Sequence, residues 1–82
     1  MQKMIAVEQI KAGRALLDWN QGDLARHSSL SKAAINKLER RIVTPRVESL
    51  RKIQHAMEVS GVEFIAGPGV RLRSDMFQVR IK

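Results

Sequence analysis

Lys32, Ala33, Asn36, Lys37 and Arg40 recur at i, i+1, i+4, i+5 and i+8, a spacing that a helix gathers into one stripe. Their chemistry suits the edges of nucleic-acid bases. Lys donates to guanine O6 and N7, Asn bonds adenine N6 and N7, and the Ala methyl meets the thymine methyl. Lys32, Ala33, Asn36 and Lys37 are therefore the candidate base-contacting residues. Arg26, Arg40, Arg41 and Arg46 surround the stripe in sequence and suit phosphate oxygens. Asn20 and Gln21, just upstream, add side-chain and backbone donors where a helix N-terminus would meet a phosphate. The plain alternative is a solvated helix face, which the same residue types also make, so the surrounding elements decide.

Those elements read as two short helices joined by a tight turn. Asn20 is an N-cap, with Asp23 three residues on favouring the helix start. The helix it opens, 21–28, buries Leu24 and Ala25. Ser29 and Leu30 make the turn, with Leu30 pointing inward. Ser31 then caps a helix over 32–41 whose inner face is Ile35, Leu38 and Ile42. Two helices joined this way, the second polar on its outer side, form a helix-turn-helix, a unit that lays its second helix in the DNA major groove.

Upstream, Val7, Ile10 and Leu17 recur at helical spacing over 6–17, with Gly13 on the same side. Gly weakens a helix by about 1 kcal/mol relative to Ala, so Gly13 marks a close approach by a neighbour. This helix lacks a Ser, Thr, Asp or Asn cap, and Leu16, Leu17 and Trp19 at its end read as core. Downstream, Thr44-Pro45 breaks the chain before a fourth helix over 46–59, with Val47, Leu50, Ile53 and Met57 on one face and Gly61 as its stop. The period then changes. Val62-Glu63-Phe64-Ile65 and Val70-Arg71-Leu72-Arg73 flank Ala66-Gly67-Pro68-Gly69 as a hairpin. Alternating Phe77, Val79 and Ile81 read as a third strand. The expected fold is mainly α: a compact four-helix domain over 1–60, then a C-terminal β extension over 61–82. An isolated hairpin is marginal in water, so these strands must pack on the helices or pair with another subunit. Their apolar surface makes the extension the candidate homodimerisation element.

Composition narrows the partners. Fifteen Lys and Arg against eight Asp and Glu leave +7, which favours a polyanion such as nucleic acid or an acidic membrane. Without Cys there is neither a disulfide nor a thiolate metal site. No apolar run approaches the roughly 20 residues that span a bilayer. The apolar patch of MQKMIAVEQIK is too short for a signal peptide, so a cytoplasmic, nucleoid-associated protein is expected. His27 lies near Ser28, Ser29 and Ser31, but neighbours on one short helix and turn do not build a nucleophile, base and orienting group. His55 falls on the fourth helix. No Gly-rich phosphate loop is present, and neither catalysis, a metal nor a cofactor is expected.

The stretch RALLDWNQGDLARHSSLSKAAINKLER resembles the phage repressor/Cro-like (xenobiotic-response-element type) helix-turn-helix family. Arg14, Gln21, Leu24-Ala25, Ile35, Leu38 and Glu39 carry the likeness, which extends over about 9–73. Pro45 and the later MEVSGVEFIAGPGVRLR are similar to a small bacterial subgroup with G-V-E-F and G-V-R-L stretches after the fourth helix. The resemblance implies a dimeric DNA-binding domain with Gln21 on phosphate, Lys32, Ala33 and Lys37 on bases, and Arg46 near the backbone beyond the third helix. It also implies an internal ion pair between Arg14 and Glu39. Three positions depart from the family pattern. Ser29 and Arg41 stand where Gly is usual, which predicts a positive φ at Ser29. Ser28 replaces a small apolar residue.

Two functions follow. The leading one is a sequence-specific transcriptional regulator, a repressor, acting as a dimer on double-stranded DNA. The alternative is the antitoxin of a toxin–antitoxin pair, binding both its operator and a toxin through an exposed strand edge.

Overall fold

The first helix, α1 (Val7–Leu17), opens without a side-chain cap from its N-cap residue Ala6. Gln9 supplies what is missing: its Oε1 accepts from the Ala6 N–H at 2.8 Å. The helix ends on Asp18 at φ 58°, with Trp19 N–H donating to Arg14 O and Asp18 N–H to Ala15 O. That pair of bonds is the Schellman arrangement, which satisfies carbonyls that a helix end leaves open. A computed structural model describes residues 4–66 and 69–74. The Phe77, Val79 and Ile81 strand and the Gly67-Pro68 centre of the hairpin turn lie outside the described residues.

Three further helices follow: α2 (Gln21–Ser28), α3 (Lys32–Glu39) and α4 (Val47–Val59). Val7, Ile10, Leu24, Ile35, Leu38, Leu50, Ile53 and Met57 meet in one core, with Leu17, Trp19 and Leu30 partly buried against it. Gly13 sits where α1 meets α4. A Cβ placed there would lie 2.7 Å from Met57 Sδ, so the glycine is what permits the approach.

The strands β1 (Val62–Ile65) and β2 (Gly69–Leu72) pair antiparallel, with Val62 opposite Leu72 and Phe64 opposite Val70. This register turns Val62, Phe64, Val70 and Leu72 onto the core and leaves Glu63 and Arg71 to pair at 2.6 Å on the other face. The hairpin packs on α1 and α4, which gives a marginal two-stranded sheet a partner within its own chain. Buried Gln9 fastens the junction, its Nε2 donating to Gly69 O at 3.0 Å and Ile65 O at 3.3 Å. The fold is thus mainly α, four helices and then a C-terminal hairpin, as expected.

Three expected core residues are exposed. Leu16 lies one position off the buried stripe of α1. Val47 is the first residue of α4, because Arg46 is its N-cap rather than part of the helix. Ile42 is 56% exposed because α3 stops at Glu39, two residues short of the expected end. Arg41 there takes φ 60°, and the turn it makes carries Ile42 off the helical spacing that would have put it inside.

Candidate nucleic-acid interface

Both helices of the central unit are started by their own side chains. Asn20 Oδ1 accepts from Asp23 N–H at 2.8 Å, and Asp23 Oδ2 accepts from Asn20 N–H at 2.9 Å. This is a capping box with Asp in place of the usual Glu or Gln. The backbone N–H of Asn20, and then Arg26, hold the Asp23 carboxyl below its ordinary pKa. Ser31 Oγ accepts from Ala34 N–H at 3.0 Å and starts α3. Ser29, between them, takes φ 65°, the left-handed conformation expected at this usually Gly position. Buried Ser28 disposes of its hydroxyl by donating to Ala25 O.

With α3 fixed by Ile35 and Leu38, its outer side presents Lys32, Ala33 and Lys37 exposed and Asn36 half-buried. A groove of about 500 Å³ runs between this side and the start of α4. Ala33, Ala34 and Lys37 line it from α3, and Thr44, Arg46 and Ser49 line it from the loop and α4. Three of the candidate contacts, Ala33, Lys37 and Arg46, thereby meet around one concavity. Among the described residues Lys32, Lys37, Arg40 and Arg46 have no ion-pair partner.

The remaining candidates are engaged within the chain. Arg26 donates to Asp23 at 3.0 Å, and Arg41 pairs with Glu8 at the start of α1. That pairing lies on the surface, and a backbone hydrogen bond at the helix start, together with Arg41, holds the Glu8 carboxyl below its ordinary pKa. Asn20 spends its oxygen on the cap and keeps its exposed amide nitrogen. Gln21 reaches inward, donating from Nε2 to Glu39 Oε1 at 3.1 Å and accepting at Oε1 from Asn36 Nδ2 at 3.2 Å. Arg14 and Glu39 lie in a bidentate pair: Nη2 to Oε1 at 2.7 Å and Nε to Oε2 at 2.8 Å. The Glu39 hydrogen bonds raise the Arg14 guanidinium above its ordinary pKa, and Arg14 Nη1 also donates to Trp19 O. Glu39 is 3% exposed, so the pair ties α1 to α3 from within.

Thr44 and Ser49, which were not among the expected contacts, also line the groove. The available signal was a Thr-Pro break followed by a helix start with a nearby Ser, a place where hydroxyls and N–H groups converge. His27 is stacked on Trp19, with ring centroids 4.3 Å apart and planes 9° from parallel. Among the described residues no group of three or more acidic, His or Cys side chains could hold a metal ion, and no helix is long and apolar enough to cross a membrane.

Two short capped helices, the second offering a basic groove, make this a helix-turn-helix domain of the DNA-binding kind. The family model described as Helix-turn-helix matches residues 10–64, well over half of the chain, and the chain belongs to that family, in its Cro/C1-type branch. The matched segment runs from Ile10 in α1 to Phe64 in β1, so it takes in α2, α3 and α4 whole and α1 from its fourth residue. Membership supports a DNA-binding transcriptional regulator. A comparison with curated proteins finds no match.

Proposed function

We propose that the protein is a sequence-specific repressor that places α3 in the major groove and binds a two-fold symmetric site as a homodimer. The observation that carries this reading is the groove between α3 and the start of α4, where Ala33 and Lys37 face Arg46 and the nearby cations lack acidic partners. Unpaired cations beside one another repel, and an approaching phosphate chain relieves that repulsion. Lys32, Ala33, Asn36 and Lys37 take the base-contacting role. Arg40 and Arg46 take phosphates, with Asn20, Gln21, Arg26 and Arg41 at the margin. For Gln21 the backbone N–H is the phosphate donor, since its side chain is spent inside the protein.

The C-terminal segment 61–82 is the proposed dimer contact, setting the two copies of α3 about 34 Å apart, one turn of DNA. Sedimentation of a chain lacking 61–82 tests this part. A monomer supports it, and a persistent dimer moves the interface elsewhere. The antitoxin reading draws its support from the hairpin, a two-stranded sheet whose strands each have one neighbour among the described residues. A toxin that co-purifies through that edge is its expected signature. For the repressor reading the test is a footprint on the DNA upstream of the protein's own coding sequence. A symmetric protected site supports it, and uniform protection of any duplex contradicts it.

A further inference from the structure

The outer side of α3 is joined to a buried charge by hydrogen bonds that can run in only one direction. Glu39 lies at the inner end, accepting from Arg14 Nε and Nη2 and from Gln21 Nε2. A carboxylate held by a guanidinium offers acceptors alone. Gln21 must therefore turn its amide nitrogen toward Glu39 and its Oε1 away. That Oε1 can only accept, so Asn36 must turn its own amide nitrogen toward Gln21, as the 3.2 Å contact records. At the outer end, Asn36 is left with its Oδ1 and one N–H. It sits one helical turn beyond Lys32 and is the sequence neighbour of Lys37, which lines the groove.

We propose that Gln21 is a positioning residue for base readout: the Arg14–Glu39 pair sets the direction of an amide relay that holds Asn36 with its carbonyl oxygen toward the DNA. The inference rests on α3 entering the major groove. An outward oxygen selects a base that donates there. Adenine offers the N6 donor with an N7 acceptor for the remaining N–H, whereas guanine offers only the O6 and N7 acceptors. An unrestrained Asn would rotate its amide and accept either base. Here rotation would set Asn36 Oδ1 against Gln21 Oε1, two acceptors without a proton, and Gln21 cannot rotate in turn because Glu39 holds it. The relay thus converts an ambiguous side chain into a one-sided one.

The test measures base preference, position by position, for the full-length chain on duplexes selected from random DNA. Asn36→Ala identifies the base pair that Asn36 reads, since its preference disappears while the others remain. Gln21→Met keeps the length of the side chain and removes both hydrogen-bonding ends. It is expected to reduce adenine-over-guanine preference at that pair by about tenfold and leave other positions unchanged. Gln21→Lys is the sharper variant: its ammonium still satisfies Glu39 but can only donate, so Asn36 must turn its oxygen inward and its NH₂ outward. Preference at that pair is then expected to swing toward guanine. A ratio between bases cancels any general gain in affinity from the added charge. Preference at that pair unchanged within about twofold in the variants that fold overturns the relay while leaving groove binding intact. Absence of salt-sensitive duplex binding by the unaltered chain overturns the groove reading itself, a different result.

Discussion

The groove side and the hairpin side of this molecule treat charge in opposite ways. On the hairpin side Arg71 is paired with Glu63 across the strands, and Arg73 Nη1 donates to Glu58 O at 2.8 Å. Gln9 uses both ends of its amide. On the groove side Lys32, Lys37, Arg40 and Arg46 stand without acidic partners among the described residues. A chain with a net charge of +7 has too few acids to pair every base, so where the unpaired ones collect is informative. Among the described residues, Lys37 and Arg46 line the groove and Lys32 and Arg40 lie at the two ends of α3, while Lys11 on α1 and Arg51 and Lys52 on α4 also lack an ion-pair partner.

Several substitutions would break or sharpen that contrast. The largest effect is expected at the joint between the regions. Glu39→Ala leaves the Arg14 guanidinium partly buried without its partner and frees Gln21, at a cost of about 3 kcal/mol in unfolding by urea. A cost under about 0.5 kcal/mol, the range of ordinary surface changes, would mean that the pair does not hold α1 to α3. Next in size, Lys37→Ala is expected to relax discrimination at one base pair by about 1–3 kcal/mol, and Arg46→Ala to lower the log–log salt slope by about 0.9. Arg71→Ala, on the opposite face, should change neither and cost at most about 1 kcal/mol of stability. Equal effects of Arg46→Ala and Arg71→Ala on the salt slope would erase the distinction between the two faces.

Gln9→Ala removes the bonds from the hairpin to α1, with an expected loss of about 2 kcal/mol and faster amide exchange in β2, while DNA binding stays as it was. Ser29→Gly runs the other way. Glycine relieves a left-handed residue in the turn, so a gain of about 1 kcal/mol is expected by thermal unfolding. A loss would show that the Ser29 side chain contributes something its backbone angle does not reveal.

The smallest effect concerns pH. Asp23 and Glu8 are both held below their ordinary values, of which 3.8 is that of Asp23. A depressed carboxyl contributes stability that is complete above its unfolded pKa and is lost as pH falls through its lower folded one. The melting temperature should therefore hold from neutral pH to about 5 and fall below about 4, with Asp23→Asn flattening part of the fall. A fall already under way at pH 6 would point to other groups.

Much of this arrangement was legible in the residues. Asn20 and Ser31 cap by side-chain chemistry that works locally, so both helix starts could be read from a few neighbouring residues. The hairpin itself followed from the change of period, but its register did not: Gly69, expected in the turn, is the first residue of β2 and pairs with Ile65. The stripe of Lys32, Ala33, Asn36 and Lys37 could be placed on one face from helical spacing alone. What was not legible depends on partners distant in sequence. Nothing about a Gln in the first turn of a helix announces that it will clamp carbonyls 56 and 60 residues away. Likewise, spacing, which puts Ile42 inside, cannot show that Arg41 leaves the helix in a left-handed turn and meets Glu8. The direction of the Glu39–Gln21–Asn36 relay appears only once the three side chains are in contact.

The central claim, that the outer face of α3 reads bases, is tested most directly by competition binding at physiological salt. A duplex selected from random DNA competes there with a scrambled duplex of the same composition. A preference of at least about a thousandfold for the selected duplex is expected, much of it lost in Lys37→Ala. Equal affinity for both duplexes would contradict it, leaving a basic surface that holds DNA without reading it.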